Sequence, residues 1–140
     1  MQSLVGTRFP GGIFTVDPLE HRLFCDSTLS PEPSVGRAHP IYVYHATRAG
    51  MGLDIDEFLA LCGSSAADGP MFAFHESRIT GPLYVGRSYL VDGEITEVTR
   101  KEGRKTGVFD IVRFELRLRP ETGGEPIATS VNGFILPRRG

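Results

Sequence analysis

The chain has no tryptophan, only two cysteines and only four histidines, and each scarcity narrows what it can be. Cys25 and Cys62 are too few for a disulfide framework, and neither has a metal-ligating neighbour at zinc-site spacing, so no metal and a reducing compartment are expected. Long apolar runs are also missing: nothing approaches the roughly 18 residues of a membrane span. Met1 to Gly12 has no basic region leading into an apolar stretch. These absences predict a cytoplasmic protein with no membrane partner. Neither sign of charge prevails, with 15 Lys and Arg against 17 Asp and Glu, which removes the basic footprint of a nucleic-acid binder. What is present, 40% hydrophobic and 23% charged residues in 140, has the balance of one globular domain over 1–140.

Proline and glycine interrupt the first forty residues at Pro10-Gly11-Gly12, Pro18 and Ser30-Pro31-Glu32-Pro33-Ser34. Only Ile13 to Val16 reads as a strand there. Arg22 to Cys25 starts a short helix, and residues 26 to 38 read as loop. Pro40 suits the first turn of a helix that places Val43, Ala46, Thr47 and Gly50 on one small face and Tyr44, His45 and Arg48 on another. Gly50 and Gly52 weaken it. Asp54 with Glu57 three residues on resembles a capping box, followed by Ile55, Phe58, Leu59 and Cys62 at helical spacing and Gly63 as a cap. One long helix with a weak middle and two abutting helices both fit.

From Pro70 the period becomes two. Met71–Ile79, Ser88–Thr99, Val108–Arg119 and Ile127–Leu136 read as strands separated by short turns, hence antiparallel neighbours. Phe114, Leu116 and Leu118 alternate with Arg113, Glu115, Arg117 and Arg119, one dry face and one wet. Phe109 and Ile111 fall in the opposite phase, which requires a bulge or burial on both sides. The layout is α+β: a curved antiparallel sheet of about five strands wrapped on a central helix. Phe72 and Phe74 with the long sheet edges point to a second copy or a partner covering an apolar surface.

Gly81-Pro82-Leu83-Tyr84-Val85-Gly86-Arg87-Ser88-Tyr89 is similar to the "rPL.vGd.y" turn of MaoC-like hydratase/dehydratase domains. It is followed by a long strand, a basic turn from Arg100 to Gly107, a strand, a hairpin at Thr122 to Gly124 and a last strand ending in Arg138, in that family's order. Leu4-Val5-Gly6-Thr7 resembles its "lvGk" opening. The resemblance implies a hot-dog fold that holds acyl thioesters of coenzyme A or of carrier-protein phosphopantetheine. These groups would arrive only as part of the substrate, and no separate cofactor is implied. The implied reaction adds water to a 2-enoyl thioester or removes it from a 3-hydroxyacyl thioester. In active members an Asp and a His five residues further on move the proton, and a glycine amide at the start of the central helix binds the thioester oxygen. Acid-base catalysis of that kind is worth about 10² to 10⁴ fold and an oxyanion donor a comparable factor.

Both points depart from the pattern here. Asp26 is the counterpart of the aspartate, but Pro31 stands five residues on. Ala38-His39-Pro40 resembles the family's "A-H-G" helix start with a proline, which has no amide hydrogen, in place of the glycine. Such losses resemble those of helper halves, either the inactive half of a double hot dog or the subunit that works in a heterodimer with a catalytic hot-dog subunit; a homodimer is the other assembly the resemblance allows. The candidate catalytic residues are therefore Asp26, His39 and His45, against the plainer reading of both histidines as structural. Candidate substrate contacts are Tyr42, Gly50, Gly52 and Asp54 along the helix, where small side chains leave room for a bulky acyl group, and the basic Arg100, Lys101 and Arg104 for phosphates. A second reading is a self-sufficient hydratase or thioesterase using His39, His45, Asp54 or Asp56. A third is a non-enzymatic binder of acyl or other hydrophobic ligands. Asp54, Asp56 and Glu57 also suit a helix first turn, where the dipole favours them by about 0.3 to 1 kcal/mol each.

Overall fold

A computed structural model describes residues 4–29, 36–40, 42–105 and 107–138. The chain enters through β1 (Gly12–Thr15) and turns directly into a helix, α1 (Pro18–Ser27). Asp17 caps it, its carboxylate accepting from the amides of Leu19 and Glu20 at 2.9 and 3.0 Å, with Pro18 in the first turn. This corrects the expected start at Arg22 and the expected loop at residues 26 and 27: the Asp-Pro pair that reads as punctuation is a helix start, because proline presets the backbone where no amide hydrogen is needed. The Pro-rich run with Pro31 lies outside the described residues.

The central helix is two helices, α2 (Tyr42–Gly50) and α3 (Ile55–Leu61). They part at Gly52, whose φ of +87° only glycine adopts readily. The Asp54–Glu57 capping box restarts the chain, with both reciprocal bonds formed at 2.7 and 3.1 Å. The buried side of α2 is the expected small face together with Tyr42.

Four further strands, β2 (Met71–Ile79), β3 (Ser88–Gly103), β4 (Gly107–Pro120) and β5 (Ala128–Pro137), complete a five-stranded sheet in the order β1-β3-β4-β5-β2, antiparallel throughout. β3 and β4 form a hairpin that takes in most of the basic run from Arg100, so the turn is shorter than expected. β4 alternates without a break, with Asp110, Val112, Phe114, Leu116 and Leu118 buried. The irregularity that Phe109 and Ile111 seemed to demand lies instead on β3, between Ile95 and Glu97. Phe109 and Ile111 are half-buried on the other face, opposite a buried carboxylate that hydropathy alone would not place inside.

The inner face meets α2 and α3 through an aromatic cluster. Phe114 packs on Phe9, Phe58 and Phe134 with ring centroids 5.7, 4.7 and 6.1 Å apart. Each such fully buried ring contributes roughly 1.5–3 kcal/mol by burial. β2 is an edge strand with Met71, Phe72 and Ile79 exposed. A register shift between Phe72 and Phe74 puts them on opposite faces: Phe72 meets Phe134 at 5.4 Å, whereas Phe74 lies over Gly133, where a Cβ would come 2.2 Å from the ring. They therefore do not make the common apolar surface expected of them. Among the described residues no helix is long and apolar enough to cross a membrane.

Candidate functional site

The entrance to α2 is where the resemblance places an oxyanion donor. Four described amides surround it, and all are engaged. Ala38 N–H donates to Leu83 O at 2.7 Å, Tyr42 N–H to His39 O at 2.9 Å and Val43 N–H to Pro40 O at 3.2 Å. The His39 N–H donates to Nε2 of His21 at 2.9 Å. Pro40 has no hydrogen to give. Ile41 lies outside the described residues.

His21 was not singled out in the sequence. It is 3% exposed, its ring stands edge-on to Tyr42 at 5.2 Å, and Sγ of Cys25 lies 3.6 Å from Nε2. Accepting an amide hydrogen fixes Nε2 as the unprotonated nitrogen. The signal was the i, i+4 pair His21/Cys25, legible only once α1 is known to begin at Pro18. Tyr42 is buried among His21, Phe24 and His45, and its hydroxyl has no partner among the described residues. Burial first, then the charges of Glu20, Asp17 and Cys25, pushes the Tyr42 pKa up.

The other candidates are dispersed. Asp26 is exposed on the last turn of α1. His39 is half-buried with its ring 6.0 Å from that of Phe24, and His45 is exposed on α2 beside Phe14. Asp54 is held in its capping box. Gly50 and Gly52 are points of close approach: a Cβ on Gly50 would lie 2.4 Å from Cγ2 of Val91, and one on Gly52 2.7 Å from Gly11 O. The space beside them is filled by backbone and β3, so no acyl tunnel opens there.

Arg100 and Lys101 point to opposite faces of β3. Arg100 makes a two-pronged contact with Asp110, Nε at 2.8 Å and Nη2 at 3.1 Å, and Arg138 Nε reaches the same carboxylate at 2.8 Å. The hydrogen bond from Arg100, outweighing burial and helped by Arg138, holds the Asp110 carboxyl below its usual range. Arg138 also donates to the carbonyls of Cys62 and Gly63 at 2.7 and 3.1 Å, tying β5 to the end of α3. Lys101 and Arg104 are exposed. Burial pushes the Cys62 thiol up to about 11, leaving it protonated at neutral pH and a poor nucleophile.

A cleft of about 450 Å³ opens beside the α2 entrance, between Arg37, Ala38, Pro40 and Val43 on one side and Ile79 and Leu83 on the other. Further along the same face of β2 lies a polar cluster that includes His75. His75 Nδ1 is 2.8 Å from Oδ1 of Asn132, His75 Nε2 is 2.6 Å from Oγ of Ser77, and Asn132 Nδ2 donates to Ser130 Oγ at 3.0 Å. Asn132 and Ser130 are fully buried and Ser77 is exposed. The signal available was His-x-Ser, two residues of one strand face, but its partner sits 55 residues downstream of Ser77. Among the described residues no group of three or more His, Cys, Asp or Glu could hold a metal ion.

No family model and no curated protein sequence matches the chain. Solved structures do. The ChsH1-ChsH2 complex from Mycobacterium tuberculosis superposes with a TM-score of 0.73 at 13% identity, covering 96% of this chain and 86% of that one. The HadBC (3R-hydroxyacyl-ACP dehydratase) complex from the same organism gives 0.62 at 14%, covering 96% and 98%. The MaoC-like dehydratase from Rhodospirillum rubrum gives 0.58 at 20%, covering 97% and 94%. The fold is thus the hot-dog fold that these proteins share, as the sequence resemblance implied.

Proposed function

We propose that this chain is the helper half of a hot-dog hydratase/dehydratase, holding an acyl thioester of coenzyme A or a carrier protein while a second hot-dog subunit supplies the Asp–His pair. One observation carries the reading: the α2 entrance offers no free described amide, because Pro40 has none and that of His39 is taken by His21. A preorganised donor aimed at the developing oxyanion is commonly the largest single catalytic contribution, and the described residues offer none where the fold would use it. Two of the similar structures are complexes of two proteins, which favours assembly with an unlike subunit. The exposed apolar edge at Met71, Phe72 and Ile79 is a natural place for it. The cleft by Arg37 is the proposed acyl site, the guanidinium meeting the anionic end of the carrier group.

Native mass spectrometry tests this after co-expression with a hot-dog subunit from the same genome that carries the Asp–His pair. A one-to-one assembly that binds acyl-coenzyme A is expected. A homodimer that ignores both the subunit and the thioester would overturn it.

A further inference from the structure

The polar cluster on β2 has the connectivity of a nucleophile, a base and an orienting group. Asn132 is fixed first: it is buried, and donating Nδ2–H to Ser130 Oγ turns its Oδ1 toward the sheet edge. That oxygen only accepts, so His75 must present Nδ1–H to it at 2.8 Å. Nε2 is then left unprotonated and receives the Ser77 hydroxyl hydrogen at 2.6 Å. The Tyr44 ring packs T-shaped against the imidazole, with ring centroids 4.7 Å apart. We propose that Ser77 is an acyl-accepting nucleophile, with His75 as its general base and Asn132 as the residue that positions His75, giving this chain an ester- or thioester-cleaving activity of its own.

A histidine present only to satisfy a buried asparagine needs one bond, from Nδ1. Here the second nitrogen is engaged as well, by the one exposed hydroxyl of the cluster, which is the arrangement that activates a serine. Place supports chemistry: Ile79, two residues beyond Ser77 on the same strand face, lines the cleft beside α2, so a chain lying in that cleft brings its carbonyl toward Ser77 about 6.7 Å along the strand.

The steps balance with water as the only co-reactant. Ser77 Oγ bonds to the acyl carbon as its proton passes to His75 Nε2. The carbon–sulfur bond breaks and the leaving thiolate takes that proton. Water then attacks the acyl-serine, giving a proton to Nε2, and the ester bond to Oγ breaks as Oγ recovers it. A thioester and water become a carboxylic acid and a thiol.

This goes beyond hydration, and it depends on the preceding reading only for a thioester as the natural acyl donor. The test therefore uses neither a thioester nor a partner. The full chain is treated with a fluorophosphonate, and hydrolysis of p-nitrophenyl butyrate is followed in parallel. The expected results are one adduct mapped to Ser77 and hydrolysis that falls roughly 100-fold or more in Ser77→Ala and His75→Ala. Asn132→Ala should lower kcat without raising KM, and Asn132→Asp should restore it. Melting curves of the Ser77 variant should match wild type, since that side chain is exposed. An adduct elsewhere, no adduct, or unchanged hydrolysis in folded Ser77→Ala overturns the proposal. Labelling at Ser77 in a chain that binds no thioester would leave it standing and overturn the helper reading instead.

Discussion

Replacing Asp110 with alanine should destabilise the protein more than any change among the exposed charges. The Asp110 side chain is 2% exposed and anchors two cations, and that of Arg138 is 17% exposed. Without the carboxylate, Arg138 keeps its bonds to the Cys62 and Gly63 carbonyls but carries an uncompensated charge against the end of α3. Removing one partner of a buried pair costs about 3–5 kcal/mol, and the lower end applies because water reaches Arg100. For a domain whose whole stability is about 5–15 kcal/mol that is a large fraction. At roughly 3–4 °C per kcal/mol for a chain of this size, the melting temperature should fall by about 10 °C. Circular dichroism melts of Asp110→Ala and Arg100→Ala make the comparison. Arg100→Ala should fall less, because Arg138 still meets the carboxylate. An Asp110→Ala protein melting within about 3 °C of wild type would refute the structural role and return Arg100 to the substrate candidates.

The same network sets an acid limit. For Asp92, burial raises the carboxyl pKa, but hydrogen bonds from Arg119 and Arg117 outweigh it, so Asp92 joins Asp110 below the usual range. With folded values below the unfolded value of about 3.9, the stability they give is complete above about pH 5 and lost as pH falls through the folded values. Melting temperature should therefore drop below about pH 4, and less steeply in Asp110→Asn; parallel profiles would contradict this. Tyr42→Phe removes a buried hydroxyl that has no partner among the described residues and should raise stability by about 1 kcal/mol in denaturant titration; a loss would mean the hydroxyl is satisfied. Gly50→Ala drives a methyl into Val91 and should cost about 1–3 kcal/mol, whereas an unchanged melt would reopen the idea of space for an acyl chain there. His21→Ala frees the His39 amide and should cost about 1–3 kcal/mol; wild-type stability would deny its structural role.

The sheet was legible because period-two alternation survives along β4 and most of β3 and β5 and the turns carry glycine or proline, while β2 lies at the expected Met71–Ile79 but shifts register between Phe72 and Phe74. What misled was local. Pro18 reads as a breaker unless Asp17 is recognised as its cap, so α1 was read short and His21 was missed. Asp110 breaks hydropathy on β4 because its charge is neutralised by Arg100 and by Arg138 from the far end of the chain, pairings no window contains. That Pro31 stands where the resemblance implies a proton-transferring histidine, and Pro40 where it implies an amide donor, was visible, since identity alone decides whether a residue can donate. The Ser77–His75–Asn132 cluster was not visible, because it needs the β2–β5 register to bring its third member across.

The helper reading is tested most directly by hydration of an enoyl thioester, measured with this chain alone and again with an Asp–His hot-dog subunit bound to it. The account predicts no hydration by the chain alone and turnover by the complex that exceeds that of the catalytic subunit by itself. Hydration by the isolated chain, or a complex no more active than its partner, would contradict it.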